Sequence, residues 1–416
     1  MDKNIVFLYK FLSNYFFCKN FDVSLLKSFI SSYSENGFLK DKVFLDRVDL
    51  SSLKLSDKCN NVNYDYLRYL DSNKLKHSPK IILLNGCYLF SENINVDISI
   101  NNSDSNFFYD LDSLNFKFHS DNLNFFYLLN SVLAFKHLFV KIPDNFVLKE
   151  NLYILNFYDE ALSEFMFHPS LFLNIGKNSN INIVESHINF SKKNFINASS
   201  ILHLESSAKV SYNLFNYCKF PLLNSHSIFS FQNDCSNLSF RDGFFGKHFF
   251  KGFYNFYLYG RNAIFDKKSG RDLKYDSNFN LDCNIFHYAS NTKSNTLFRV
   301  VGHDASKCFY RGSIVVGIDI TVIDSDLKCD GLLLSELSNI VLIPELCIDN
   351  DDVKCSHGAT IGCLYDRFIF YMMSRGISKS ECVCILINGF LSKCIDKNIL
   401  FFSILNDDVI ENYYIY

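Results

Sequence analysis

The sequence predicts a mainly β protein with a helical region at each end. From about residue 80 to residue 363 the chain consists of short apolar runs rich in β-branched and aromatic residues, separated by Asn, Asp, Ser and Gly. Residues 180–183 (NINI) alternate polar and apolar side chains, as a half-buried strand does, whereas residues 340–343 (IVLI) form the continuous apolar run of a buried strand. Helical patterns between these runs are too sparse for a doubly wound α/β sheet.

Three architectures compete for the β-rich region: a sandwich, a propeller and a β-solenoid. No fixed repeat of the kind expected for a propeller is evident. The chain has 416 residues, which is long for one compact core but no obstacle to a solenoid, where each coil stacks on its neighbour. The pattern alone therefore leaves a sandwich and a parallel β-helix equally open.

The two ends carry helical signals. In residues 1–79 apolar positions recur at mixed helical spacing, which predicts a helical region with an amphipathic first helix. In residues 364–416 the apolar run 368–374 is followed by Gly376, as at a helix C-terminus, and Ser378 and Glu381 have the spacing of a capping box that starts a second helix. That second helix should pack one face on the solenoid or on a partner through its apolar positions Val383, Leu386, Ile387 and Phe390.

Composition excludes several classes of function. The 41 basic and 44 acidic residues are spread without blocks, which argues against nucleic acid or an anionic membrane as a partner. There is no apolar segment long enough to span a bilayer, and the apolar N-terminus lacks a signal-peptide cleavage site. Fourteen cysteines without a CxxC motif fit a reducing compartment, the cytoplasm or a stroma-like organelle compartment. We interpret the 45 Phe and 24 Tyr, beside no Trp, as the bias of an A/T-rich genome.

The segment DDVKCSHGATIG, residues 351–362, carries the most chemistry in the chain. Cys355 and His357 are two residues apart, so on a strand both side chains lie on the same side. A thiolate and an imidazole are suitable ligands for a borderline metal ion such as iron. Two ligands do not complete a closed structural site, so any metal bound here would be shared with another segment or another chain.

The same segment, followed by FYMMSRGIS at residues 370–378, resembles the C-terminal signature of the SufD family, scaffold subunits of the SUF iron–sulfur cluster assembly system. Further pieces agree with this family in order along the chain from about residue 80: LLNG (83–86), FHP (167–169), GRNA (260–263), GSIVV (312–316) and PELCI (344–348). Ser170 stands where the family commonly has Arg. This resemblance favours the parallel β-helix over the sandwich.

The resemblance also implies a function. In that family the β-helix pairs with a SufB-like scaffold in a heterodimer, the SufC ATPase docks on the C-terminal helical region, and a transient iron–sulfur cluster or iron is held where the two scaffolds meet. His357 is then the candidate ligand, with Cys355 beside it. The chain itself is expected to be non-catalytic, and it contains no phosphate-binding loop for a nucleotide. The residues expected at the ATPase-docking surface are Phe370, Tyr371, Arg375, Gly376 and Ile377.

Two alternatives remain. Cys329, in KCDGLL, resembles the acceptor thiol segment of SufB, although Gly358 stands where SufB has a Glu; Cys329 is therefore a minor candidate ligand. A carbohydrate-active enzyme on a β-helix would need convergent carboxylates. Asp349, Asp351 and Asp352 are acidic but nearly adjacent, so on a strand only Asp349 and Asp351 would share a face.

Overall fold

Polar and apolar residues alternate along strands that are stacked coil upon coil. The computed structural model describes residues 54–55, 75–102 and 124–394, apart from residues 135, 160–163, 192, 219–221, 246–247 and 364–365. These residues form a parallel β-solenoid of about seven turns, as expected from the resemblance. Its strands form two sheets that face each other across a shared interior.

Sheet 1 follows the order β20-β18-β16-β14-β12-β10-β8-β5-β4, with β7 beside β10 and β1 beside β7. Its strands are β1 (Lys54–Leu55), β4 (Asp97–Asn102), β5 (Lys136–Ile142), β7 (Phe165–Phe167), β8 (Ser170–Ile175), β10 (Phe195–Leu204), β12 (Leu222–Gln232), β14 (His248–Leu258), β16 (Asn278–His287), β18 (Lys307–Val316) and β20 (Asn339–Ile348).

Sheet 2 follows the order β21-β19-β17-β15-β13-β11-β9-β6-β2-β3. Its strands are β2 (Lys80–Leu84), β3 (Cys87–Glu92), β6 (Val147–Tyr158), β9 (Asn180–Asn189), β11 (Lys209–Cys218), β13 (Asn237–Phe245), β15 (Ile264–Leu273), β17 (Lys293–Gly302), β19 (Ile323–Leu333) and β21 (Val353–Cys363). In the described part of both sheets, only the β2–β3 and β4–β5 pairs are antiparallel.

Tight turns lead from sheet 1 to sheet 2 in each coil. Residues with a positive φ stand at equivalent places in successive turns: Asn178, Ser207, Cys235, Asn262 and Asn291. Asn tolerates this left-handed conformation better than most residues do. The turns are hydrogen-bonded to one another, for example from the Asn178 amide to the Ser206 carbonyl at 3.1 Å. The corners of successive coils therefore also stack on one another.

Apolar side chains fill the interior, and aromatic rings stack along it. Phe298 and Tyr310 lie 4.0 Å apart between ring centroids, nearly parallel. On the outer face of sheet 1, Phe231, Tyr257 and Phe286 form a second stack with centroid separations of 5.1 and 4.8 Å. Such stacking adds to the stabilisation from burial, so the aromatic excess serves packing in this fold.

Three helices flank the strands in the described part of the chain. Helix α1 (Phe125–Leu133) begins at Asn124, whose side chain accepts a hydrogen bond from the Tyr127 amide, and packs on the outer face of sheet 1. Helices α2 (Asp366–Ser374) and α3 (Lys379–Leu391) follow β21. Gly376, with φ +89°, lies between them, and the capping box that we predicted at Ser378 is present.

The region predicted to be helical before residue 80 lies almost entirely outside the described residues. Within it, Lys54 and Leu55 form strand β1 instead, because they extend the edge of sheet 1 beside β7. No helix among the described residues is long and apolar enough to cross a membrane. Of the described cysteines, eleven are free thiols, whereas Cys87 is disulfide-bonded.

Candidate functional site

Strand β21 lies at the C-terminal end of the solenoid. It pairs with β19 on one side, and no described strand pairs with its other side. Every residue from Ser356 to Cys363 is exposed, including Ile361, which has 46% of its surface accessible. A long, exposed sheet edge with apolar residues is a ready template for pairing with another chain. Among the described residues, one edge of β21 is therefore left open.

Cys355 and His357 lie on the same side of β21, as the two-residue spacing predicted. Their partners on β19 are Ser325 and Leu327, both buried in the solenoid interior. Since β21 is the last described strand of sheet 2, no further described strand of that sheet lies beyond these two side chains. Cys355 is half-buried against the core, whereas His357 is exposed and its imidazole makes no hydrogen bond to a described residue.

The Cys355 thiol is held in its protonated form. Partial burial raises its pKa, and the carboxylate of Asp324 on the neighbouring strand raises the pKa further. Binding to a soft or borderline metal requires the thiolate, so a metal bound here would displace the proton. The Cys355–His357 pair thus offers one thiol and one freely accessible imidazole at the edge of the molecule.

Cys329 is placed differently. It lies on β19 opposite Ala359, points into the interior and is fully buried. Burial raises the pKa of its thiol to about 12; the charge of Lys267 offsets part of this effect, and Cys283 adds to it. The structure therefore brings Cys355 and His357 together on the open end, and leaves Cys329 beneath them in the core.

The C-terminal helices present a second exposed surface. Phe370 and Tyr371 on α2 have 73% and 59% of their surfaces accessible. Arg375 lies over the Tyr371 ring at 5.4 Å and donates a hydrogen bond to its hydroxyl at 3.3 Å. Gly376 is exposed and Ile377 is half-buried, so these five predicted docking residues form one continuous segment, most of which is open to solvent.

Helix α3 connects that segment to the solenoid. Ile387 and Leu391 pack against Val301 of β17, which confirms that this helix uses an apolar face. Arg299, also on β17, donates a hydrogen bond to the Phe390 carbonyl at 2.6 Å, and its guanidinium lies 5.0 Å from the Phe390 ring. The helical tail is thus fixed to the second strand inward from β21.

The acidic residues of the competing enzyme hypothesis do not converge on a site. Asp349, Asp351 and Asp352 lie in or beside the turn between β20 and β21, and all three are exposed. The Asp352 amide is bonded to the Asn350 side chain at 2.8 Å, as in a local turn. An acid and base held across a substrate cleft are therefore not formed by these residues.

Sequence reasoning missed a buried group of metal-ligand type elsewhere in the solenoid. Glu185 and His187 on β9 and His226 on β12 bring their ligand atoms within 4.8 Å of one another. Glu185 and His187 are two residues apart on a strand, the same signal that singled out Cys355 and His357. What the sequence did not reveal is that the strand carrying His226 lies across from them.

Comparison with known proteins agrees with the fold and with the resemblance seen in the sequence. A family profile described as "SUF system FeS cluster assembly, SufBD core domain" matches residues 157–390. The chain is 34% identical over 107 residues to the Mycobacterium leprae protein "Iron-sulfur cluster assembly SufBD family protein ML0593", which covers 26% of this chain and 12% of that protein.

Two relatives carry the name "Iron-sulfur cluster assembly protein SufD". The protein from Plasmodium falciparum is 27% identical over 233 residues, which is 55% of this chain and 16% of that protein. The protein from Escherichia coli K12 is 34% identical over 100 residues, 24% of each chain. The matched segments thus span less than a quarter of the length of each of these relatives. Since the family profile covers more than half of the chain, the protein belongs to the SufBD family of SUF-system iron–sulfur cluster assembly proteins.

Proposed function

We propose that this chain is a SufD-like scaffold subunit that pairs with a SufB-like scaffold and helps to hold a nascent iron–sulfur cluster, or iron, between them. The single observation that carries the proposal is that strand β21, which carries Cys355 and His357, pairs with β19 on one side and with no described strand on the other. A partner that docks at this edge would supply the ligands that are missing from the pair Cys355 and His357.

The ligand chemistry suits a transient cargo. His357 provides an accessible imidazole, which is a good donor to iron. Cys355 provides a thiol that must lose its proton before it binds. Two ligands from this chain leave the remaining positions to a partner or to sulfide, so the cargo is bound weakly enough to be released.

The docking surfaces suit two partners. The exposed edge of β21 supports strand addition by a second β-helix, in which backbone hydrogen bonds supply affinity and the side chains supply specificity. The segment around Phe370 and Tyr371 offers exposed aromatic anchors, which is the type of residue that dominates protein interfaces. We assign the second surface to a SufC-like ATPase, because α3 links it directly to β17, which lies two strands from β21, the strand that carries the ligand pair.

The second candidate function, a SufB-type scaffold with Cys329 as acceptor thiol, is supported less. Its thiol is fully buried in this chain and its pKa is strongly raised. A sulfur acceptor needs an accessible thiolate. We therefore keep Cys329 as a minor ligand candidate, and expect the chain to contribute ligands and surfaces without a reaction of its own.

The test is His357→Ala in the complex with a SufB-like and a SufC-like partner, purified without oxygen. Loss of a ligand should lower the iron and sulfide recovered on the complex, while thermal stability and partner association stay unchanged, because His357 is exposed and supports no core contact. Cys355→Ser shows whether the thiol shares the role. Ser356→Ala, on the opposite side of the same strand, is the matched control. Normal cluster content in His357→Ala would refute the ligand role.

A further inference from the structure

A group of three metal-ligand side chains lies deep inside the solenoid, between the two sheets. Glu185 and His187 come from β9 of sheet 2, and His226 comes from β12 of sheet 1. All three are buried, with 4%, 3% and 0% of their surfaces accessible. Their ligand atoms lie within 4.8 Å of one another, the only such group of three among the described residues.

The contacts within this group leave one ligand incompletely paired. His187 Nε2 lies 3.0 Å from Glu185 Oε1, and its Nδ1 lies 2.9 Å from the Tyr158 hydroxyl. Ser200 Oγ lies 3.0 Å from both Glu185 oxygens and 3.0 Å from His226 Nε2. Ser200 can donate to Glu185 and accept from a His226 ring protonated at Nε2, which leaves His226 Nδ1 as an acceptor. His226 Nδ1 has no hydrogen-bonding partner among the described residues, a rare state for a buried polar atom.

We propose that Glu185, His187 and His226 form a binding site for one divalent first-row transition metal ion, such as Zn²⁺ or Fe²⁺. Two imidazoles and a carboxylate are a donor set that such ions accept readily. Two bonds of about 2.1 Å span at most about 4.2 Å, so ligand atoms that lie within 4.8 Å of one another need to approach by no more than about 0.6 Å. The Ser200 hydroxyl lies between the ligands and supplies a further oxygen. Because the ligands stand on strands of both sheets, the ion would fasten the two sheets together.

This site is separate from the proposed cluster site. Six strand-to-strand steps of sheet 2 lie between β21 and β9, and at about 4.8 Å a step they separate the two sites by roughly 30 Å. The ion is also held differently: its ligands are nitrogen and oxygen, and none is exposed. The role that fits is a permanent structural ion, taken up as the chain folds.

The experiment uses the full chain with Cys355→Ser and His357→Ala, which removes the exposed ligand pair. The chain is unfolded in chelator, refolded with or without Co²⁺ and passed through gel filtration. We expect one bound Co²⁺ per chain, visible absorption bands of cobalt without the charge-transfer bands of sulfur ligands, and a higher melting temperature than the metal-free protein. Displacement by Zn²⁺, or by Fe²⁺ without oxygen, then identifies the ion.

His226→Phe in the same background should lose the bound cobalt and the metal-dependent rise in melting temperature. His203→Gln is the matched control: this residue is also buried, but it is bonded to Asn174 and lies outside the group, so cobalt binding should persist. If His226→Phe does not fold, Glu185→Gln replaces it. Absence of bound cobalt in the background protein, or equal cobalt in His226→Phe, would overturn the proposal without affecting the test of His357.

Discussion

Asp242→Asn is the substitution whose effect on stability follows most directly from the structure. Asp242 lies inside the solenoid on β13 and is held by two cations of β15. Arg271 donates to its Oδ2, and the Lys267 ammonium lies 3.9 Å from its Oδ1. Ser269 donates to the same carboxylate. All of these side chains are essentially inaccessible to water. Asparagine keeps the shape of the side chain but removes its negative charge. Arg271 and Lys267 then remain buried without that counter-charge.

The expected loss of stability is large because Arg271 and Lys267 are buried and cannot be hydrated when their counter-charge is removed. Breaking a buried ion pair by removing one charge typically costs about 3–5 kcal/mol. Arg271 retains its hydrogen bond to the Asp242 carbonyl at 2.7 Å and its contacts with the Phe244 and Phe279 rings, which keeps the estimate inside that range. We therefore expect Asp242→Asn to lower the free energy of unfolding by about 3–5 kcal/mol.

Urea unfolding followed by circular dichroism measures this loss. Asp266→Asn is the matched control, since Asp266 pairs with Arg241 nearer the surface, with 28% of the carboxylate side chain accessible. A pair of that kind contributes about 1 kcal/mol or less. Equal losses in the two variants, or a loss under about 1 kcal/mol for Asp242→Asn, would refute the view that burial makes this charge indispensable.

The dependence of stability on pH gives an independent check of the same charge. Burial by itself would raise the pKa of Asp242, but Arg271 and Lys267, with the hydrogen bonds, lower it overall. A lowered pKa means that the folded state binds fewer protons than the unfolded state. The stabilisation is therefore complete above about pH 4, the unfolded value, and is lost as the pH falls below it. As the pH falls below about 4, the free energy of unfolding should therefore decrease more steeply for the wild type than for Asp242→Asn.

Three further outcomes are expected. Gly260→Ala should lower the free energy of unfolding, measured in urea, by about 3 kcal/mol or more, because the new Cβ would lie 2.0 Å from the backbone of the adjacent coil. Gly358→Ala is the control, since its Cβ would have nothing within 4 Å, and it should cost about 0.5 kcal/mol or less. A larger loss for Gly358→Ala than for Gly260→Ala would contradict this. Phe370→Ala with Tyr371→Ala should weaken binding of a SufC-like ATPase by about 2 kcal/mol or more in calorimetry, and unchanged affinity would remove the docking assignment. Arg299→Ala should speed hydrogen exchange in α3 and, because Arg299 also pairs with Asp330 on β19, to a smaller extent beside Asp330, at a cost of about 1–3 kcal/mol. Unchanged exchange in α3 would show that apolar contacts suffice.

Local features of the fold could be predicted from the sequence. The capping box at Ser378 and the left-handed Gly376 depend on neighbouring residues only, and both are present. The solenoid was harder to predict, because inward-pointing and outward-pointing side chains alternate along the strands of a β-sandwich in the same way. Its repeat was hidden as well: Leu222 pairs with His248, 26 residues on, but Lys307 pairs with Asn339, 32 residues on. The turns vary in length, so no fixed period is visible.

The candidate site could be predicted only in part for a similar reason. That Cys355 and His357 share a side follows from strand geometry alone. That His357 is exposed and Cys355 only half-buried follows from β21 being the last described strand of its sheet, which the spacing of residues does not encode. Likewise, the burial of Cys329 and the approach of His226 to Glu185 depend on which strands stack and face each other. Helix α1 was missed because its apolar residues stand within a β-rich stretch, and Asn124 fixes its start.

The central claim is that the exposed edge of β21 is where a second scaffold docks, and Ile361→Lys tests it most directly. Ile361 is 46% exposed on β21, so a lysine there can remain hydrated in the isolated chain but would be buried on pairing. Ile264, 41% exposed on β15, provides the control Ile264→Lys. The measurement is the dissociation constant for a SufB-like scaffold by analytical ultracentrifugation. We predict a loss of about tenfold or more for Ile361→Lys and no change for Ile264→Lys. Equal affinities for Ile361→Lys, Ile264→Lys and the wild type would contradict docking of the second scaffold at β21.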